Sequence, residues 1–99
     1  MGDFNSNACW DRQHGKRNHT EVTSSLKERG LDSAYHVIKN ERLGQETEPT
    51  FCLYRKLDKQ YHIDYCFCNP SRIIDFKIHN ELNWLAYSDH FPIEVTLKI

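Results

Sequence analysis

An aspartate and a histidine stand side by side at Asp89-His90, between Ser88 and Phe91-Pro92. One offers a hard oxygen ligand, and the other an imidazole that gains or loses a proton near neutrality. Pro92 stiffens the exit, and Ile93-Glu94-Val95-Thr96-Leu97 alternates apolar and polar, as a half-buried strand does. Two earlier stretches carry compatible groups. In Gly2-Asp3-Phe4-Asn5 the two polar side chains are two residues apart and can project to one side of an extended backbone. In His62-Ile63-Asp64-Tyr65 an aspartate sits inside an otherwise apolar run, where an unpaired carboxylate is costly to bury. Alone, an Asp-x-Asn is also a common turn device, and an Asp-His pair is common polar surface. Together the three stretches offer hard oxygens and an imidazole, the makings of a metal and proton site.

The elements that must hold these groups can be read in order. Gly2–Asn5 is expected at the mouth of a strand. Ser6 to His19 reads as a polar loop carrying Arg12, His14, Lys16, Arg17 and His19, either a solvated loop or a flap over substrate phosphates. Thr20 is placed to cap a helix over Glu21–Arg29, with Val22 and Leu26 as its apolar edge and Gly30 as its end. Asp32 then caps a shorter helix that turns Ala34, Tyr35, Val37 and Ile38 inward. Lys39 to Thr50 reads as a polar linker. Strands are expected at Phe51–Leu57, Tyr61–Cys68, Arg72–Ile78 and Pro92–Ile99, with Trp84 and Leu85 packing over the sheet end. In the second strand Ile63, Tyr65 and Phe67 share one face and His62, Asp64, Cys66 and Cys68 the other, so both faces should be covered.

Taken in this order, Gly2-Asp3-Phe4-Asn5, His62-Ile63-Asp64-Tyr65 and Ser88-Asp89-His90-Phe91-Pro92 resemble motifs of the endonuclease/exonuclease/phosphatase superfamily. Its members include exonuclease III-like repair nucleases, deoxyribonuclease I and inositol polyphosphate phosphatases. The resemblance spans residues 1–99 but corresponds to the C-terminal half of such an enzyme. It implies an α+β fold, an antiparallel β-sheet with helices, forming half of a four-layer α/β/β/α sandwich. It also implies a phosphoesterase dependent on Mg²⁺ or Mn²⁺, acting on a phosphate-ester substrate that includes nucleic acid among its candidates. In it Asp3 orients or deprotonates the attacking water, and Asn5 hydrogen-bonds the phosphate. Asp89 ligates the cation, with Asp3 and Asn5 as further ligand candidates. His90 stabilises the phosphoryl oxyanion and is oriented by Asp64. The family's glutamate ligand and early asparagine have no counterpart here, and Met1 directly abuts the first motif, so the start reads as cut. The 99-residue chain alone is expected to be inactive. With its partner half missing, Ile63, Tyr65 and Phe67 or the opposite face should form an exposed apolar patch, closed by a two-fold homodimer.

Composition bounds these readings. The chain of 99 residues makes one small domain, 38% hydrophobic and 27% charged, with a formal net charge of −1. Any phosphate binding must therefore come from a local site and not from a global basic field. No apolar run approaches the roughly 18 residues that a membrane span needs. Cys9, Cys52, Cys66 and Cys68 read as reduced thiols of an intracellular protein, cytoplasmic or nuclear. A zinc module using His62, Cys66 and Cys68 is the competing metal reading, although Cys-x-Cys within a strand is not the usual turn-borne spacing. A non-catalytic scaffold that keeps the fold is the other alternative.

Overall fold

Helix α2 (His19–Glu28) starts one residue after Asn18, whose side-chain oxygen accepts the Glu21 N–H at 2.9 Å. Asn18 therefore takes the capping position expected of Thr20, and the Thr20 hydroxyl instead donates to the Asp11 carboxylate. The helix ends as its sequence requires. Gly30, at φ +81°, donates to the Lys27 carbonyl, and Leu31 folds back to donate to the Leu26 carbonyl at 2.9 Å. This closes the last orphan carbonyls with the left-handed residue that glycine supplies most easily. The buried residues of α2 are His19 and Thr23, one turn apart, so the expected edge is displaced and Val22 is exposed. This computed structural model describes residues 1–15 and 18–98. The expected basic flap residues Lys16 and Arg17 lie outside them.

Before α2, the expected loop holds a turn of 3-10 helix at Ala8–Trp10 and a short helix α1 (Asp11–His14). After it, a two-residue strand β2 (Asp32–Ser33) leads into α3 (Ala34–Lys39), which Asn40 ends in the left-handed conformation at φ +55°. Asp32 does not cap α3. Its carboxylate accepts the Ser33 N–H, while the Cys66 carbonyl takes the N–H of Ala34 at 2.8 Å. Ala34 and Tyr35 are fully buried and Ile38 partly so, but Val37 faces out.

The sheet is where structure and sequence differ most. One antiparallel sheet is expected, and four two-stranded antiparallel ladders are found. The segment expected as one strand, Tyr61–Cys68, breaks into β4 (Gln60–Tyr61), β5 (Asp64–Tyr65) and β6 (Phe67–Cys68). Each pairs elsewhere: β4 with β3 (Phe51–Cys52), β5 with β1 (Gly2–Asp3), and β6 with β2. After Cys52 the expected first strand gives way to a 3-10 turn, with Tyr54 and Arg55 both at positive φ. The fourth ladder joins β7 (Ile73–Ile78) to β8 (Ile93–Leu97) and is the longest. Helix α3 lies on it, so that Ala34, Tyr35, Cys66 and Phe76 make the core, flanked by Ile38, Ile73, Ile78, Ile93 and Val95. Phe76→Ala should cost about 3–5 kcal/mol, most of a small domain's stability. Urea unfolding measures it, and a loss below 1 kcal/mol would place the core elsewhere.

Both faces of residues 62–66 are buried, as expected. The expected open patch is consequently closed by the chain itself. Phe4 packs against Tyr65 and Phe67 with ring centroids 5.6 and 5.3 Å away, and His19 lies 4.9 Å from Tyr65. Ile63 and Tyr65 are 3% and 0% exposed, so a homodimer has no apolar face to use there. Of the pair expected over the sheet end, Leu85 is half-buried. Trp84 is 39% exposed, its indole N–H donating to Glu81 at 3.1 Å. Among the described residues no helix is long and apolar enough to cross a membrane.

Candidate functional site

Register brings the first two motifs together. In the β1–β5 ladder Asp3 is the direct cross-strand partner of Asp64, and the Phe4 N–H donates to the Ile63 carbonyl at 2.9 Å. Like charges facing each other in a ladder are unfavourable unless a cation or donor joins them. His90 takes that position. Its Nδ1 lies 2.9 Å from Asp64 Oδ2, and its Nε2 lies 3.6 Å from Asp3 Oδ2 and 3.9 Å from Asp89 Oδ1. The contact to a carboxylate fixes Nδ1 as the donor, which turns Nε2 towards the two other acids.

The third motif is held by the short strand before it. His90 bridges Phe51, Cys52 N–H donates to the Asp89 carbonyl, and Phe91 N–H donates to the Thr50 carbonyl, the last two at 2.7 Å. Ser88 Oγ accepts the His90 N–H, and the Phe51 ring rests 4.8 Å from the imidazole. Asp64 is buried, whereas the Asp3 and Asp89 side chains are 37% and 47% exposed and can meet a solute. Four of the five expected residues, Asp3, Asp64, Asp89 and His90, are thus side by side. Asn5 joins them through its backbone: at φ +50° its N–H donates to Asp3 Oδ1 at 2.8 Å, leaving Oδ2 towards His90. Asn5 also lines a cleft of about 290 Å³, with Trp10, Phe51, Leu53, Tyr61 and Ile63.

The donor set fits a hard cation in part. Among the described residues Asp3, Asp64 and His90 form a group whose ligand atoms all lie within 4.8 Å of one another. Carboxylate oxygens suit Mg²⁺ or Mn²⁺, but Asp64 Oδ2 is already occupied by His90. Asp3 Oδ1 is held by the Asn5 N–H, so the accessible oxygens are Asp3 Oδ2 and those of the exposed Asp89, which stands outside that group. His62, Cys66 and Cys68 do not gather into such a group, and His62 Nδ1 is committed to the Glu48 carbonyl at 2.8 Å. All four cysteines are free thiols.

Under the site lies a polar network that the sequence did not announce. Asn7, read as part of a solvated loop, is buried and donates through Nδ2 to Glu46, to the His62 carbonyl and to Tyr65 Oη. Glu46, read as linker, also meets His36 at 2.6 Å and the Gly44 N–H at 2.9 Å. Burial pushes the Glu46 carboxyl up, yet the bonds from His36, Asn7 and Gly44 outweigh it and hold it at about 2. Every partner of this glutamate is internal, so it is no candidate cation ligand. His19, expected in the flap, is instead buried, with Nδ1 on Ser6 Oγ at 3.0 Å.

His19 and His62 each keep a buried Nε2 without a hydrogen-bond partner. Burial is the main cause lowering both from the ordinary 6.5, because the charged ring is poorly solvated there. Below that value the unfolded chain binds protons that the folded one resists, so stability falls as pH drops from about 7 to 5. Glu46 adds a further loss between its ordinary 4.5 and about 2. Urea midpoints across this range test the sign, and a midpoint that holds or rises from pH 7 to pH 5 would contradict it. No family model, curated protein or solved structure matches the chain.

Proposed function

We propose that this chain carries the histidine end of a divalent-cation-assisted phosphoesterase site, as the C-terminal half of an endonuclease/exonuclease/phosphatase-like domain. The observation that carries the reading is His90, held at Nδ1 by buried Asp64 and turned at Nε2 to Asp3 and Asp89. Protonated, His90 presents Nε2–H to a phosphoryl oxygen and stabilises the charge that grows there. Asp3 Oδ2, with Oδ1 fixed by the Asn5 N–H, orients the attacking water and takes its proton. The Asn5 amide is the further donor the reading assigns to that phosphate. Asp89, with Asp3, would hold Mg²⁺ or Mn²⁺, which when bound polarises the phosphoryl oxygens as a Lewis acid. So few open oxygens make a weak cation site, and the reading assigns the remaining ligands to the N-terminal half of such a four-layer sandwich. The 99-residue chain alone is therefore a poor catalyst.

The cleft beside the site favours one substrate class. Trp10 and Tyr61 lie 5.0 Å apart and Phe51 reaches His90, so an apolar, aromatic wall borders the phosphate position. Such walls hold planar bases better than sugars or inositol rings. Nucleotide phosphodiesters are the preferred substrates, and the enzyme is a nuclease or nucleotide phosphodiesterase. The test is a panel of oligonucleotide, inositol phosphate and small phosphodiester substrates given to the complete protein with Mg²⁺. Chelator-sensitive cleavage of the oligonucleotide supports the reading. Absence of metal-dependent turnover on every substrate would remove it.

A further inference from the structure

Asp64 enters the site at a place where its strand changes partner. Residues 60–61 pair with β3 and residues 64–65 with β1, so the backbone between them cannot follow either ladder. Buried N–H groups at such a break need acceptors from elsewhere. Thr50 supplies them. Its Oγ1 accepts the Ile63 N–H at 3.0 Å and the Asp64 N–H at 3.1 Å. Its own N–H donates to the Tyr61 carbonyl at 2.9 Å, and its carbonyl accepts the Phe91 N–H at 2.7 Å. One residue, fully buried, thus ties the segment bearing Asp64 to the segment bearing His90.

We infer that Thr50 is the positioning residue of this site, setting the separation of Asp64 from His90 through four hydrogen bonds while touching no substrate itself. Sequence alone placed Thr50 at the end of a linker; only the strand break reveals its use. The inference deepens the phosphoesterase reading, since the pair it positions is the one that reading employs. Its test needs no turnover, so the two can fail separately.

Thr50→Val keeps the shape and removes the acceptor, whereas Thr50→Ser keeps the acceptor. At mildly alkaline pH, long-range ¹H–¹⁵N spectra of the wild type should show His90 with its proton on Nδ1, exchanging slowly. Thr50→Ser should preserve that signal. Thr50→Val should speed exchange of the His90 Nδ1 proton and of the Ile63 and Asp64 amides by roughly tenfold or more, through local opening. Phe76→Leu, a core change away from the junction, controls for general loosening and should leave the His90 proton unchanged. A wild-type exchange rate in Thr50→Val, or an equal acceleration in Phe76→Leu, overturns the inference. Should Thr50→Val not fold, wild-type exchange decides: slow Ile63 and Asp64 amides support the inference, and amides exchanging like exposed loops refute it.

Discussion

Replacing His90 with alanine should lower kcat/KM of the complete enzyme on the order of 10²–10⁴-fold, with KM changed far less. The imidazole lies among three carboxylates, and its Nε2 is turned to Asp3 and Asp89, the two that are partly exposed. Its removal takes away charge stabilisation that matters most in the transition state, equivalent to about 3–5 kcal/mol. The variant leaves buried Asp64 without its imidazole partner and should lose some stability, but the hydrogen bonds that anchor the segment, through the backbones of Cys52 and Phe91, remain and keep the fold. Far-ultraviolet dichroism checks that, and a folded variant with full Mg²⁺-dependent activity would take His90 out of the mechanism.

The second large effect belongs to Asp64→Asn. The carboxylate at 2.9 Å accepts from Nδ1, leaving Nε2 for the substrate side. An asparagine keeps the shape but removes the negative charge that favours the charged ring, so Nε2–H would meet the phosphoryl oxygen from a neutral imidazole. Losing that charge stabilisation should cost on the order of 10²–10³-fold in rate. Asp64→Ala should cost as much in rate and more in stability, since the Ile63–Asp64 segment is buried. Steady-state kinetics beside urea unfolding separates the two. Equal rates for Asp64→Asn and wild type would mean that the Asp64–His90 contact is only structural.

Why some of this was readable and some was not follows from the kind of interaction involved. Asp64 could be flagged because a carboxylate inside an apolar run demands a partner. Gly30 could be placed because a left-handed helix end favours glycine. The cross-strand pairing of Asp3 with Asp64 could not be read, because it depends on register between residues far apart in the chain. The division of residues 60–68 into three short strands was also hidden. Alternation persists along the run while the partner changes, so the period-two pattern looks continuous. At the breaks the backbone is satisfied by side chains of Thr50 and Asn7, each from a segment that reads as polar loop or linker. His19 was grouped with neighbouring basic residues by composition, and only its packing on Tyr65 separates it from them. The displaced cap is a smaller case of the same kind, since Asn18 and Thr20 are both good caps and Asp11 engages the second.

A manganese titration of the ¹⁵N-labelled chain tests the central claim most directly, because it asks whether this constellation holds a cation without requiring turnover. Paramagnetic broadening should centre on the amides of Asp3, Asp89 and His90 and strengthen when inorganic phosphate is added. It should be lost when Asp3 and Asp89 are both changed to asparagine. Broadening centred on other acidic residues, or spread evenly along the chain and unchanged in that double variant, would contradict a cation-assisted phosphoester site at these residues.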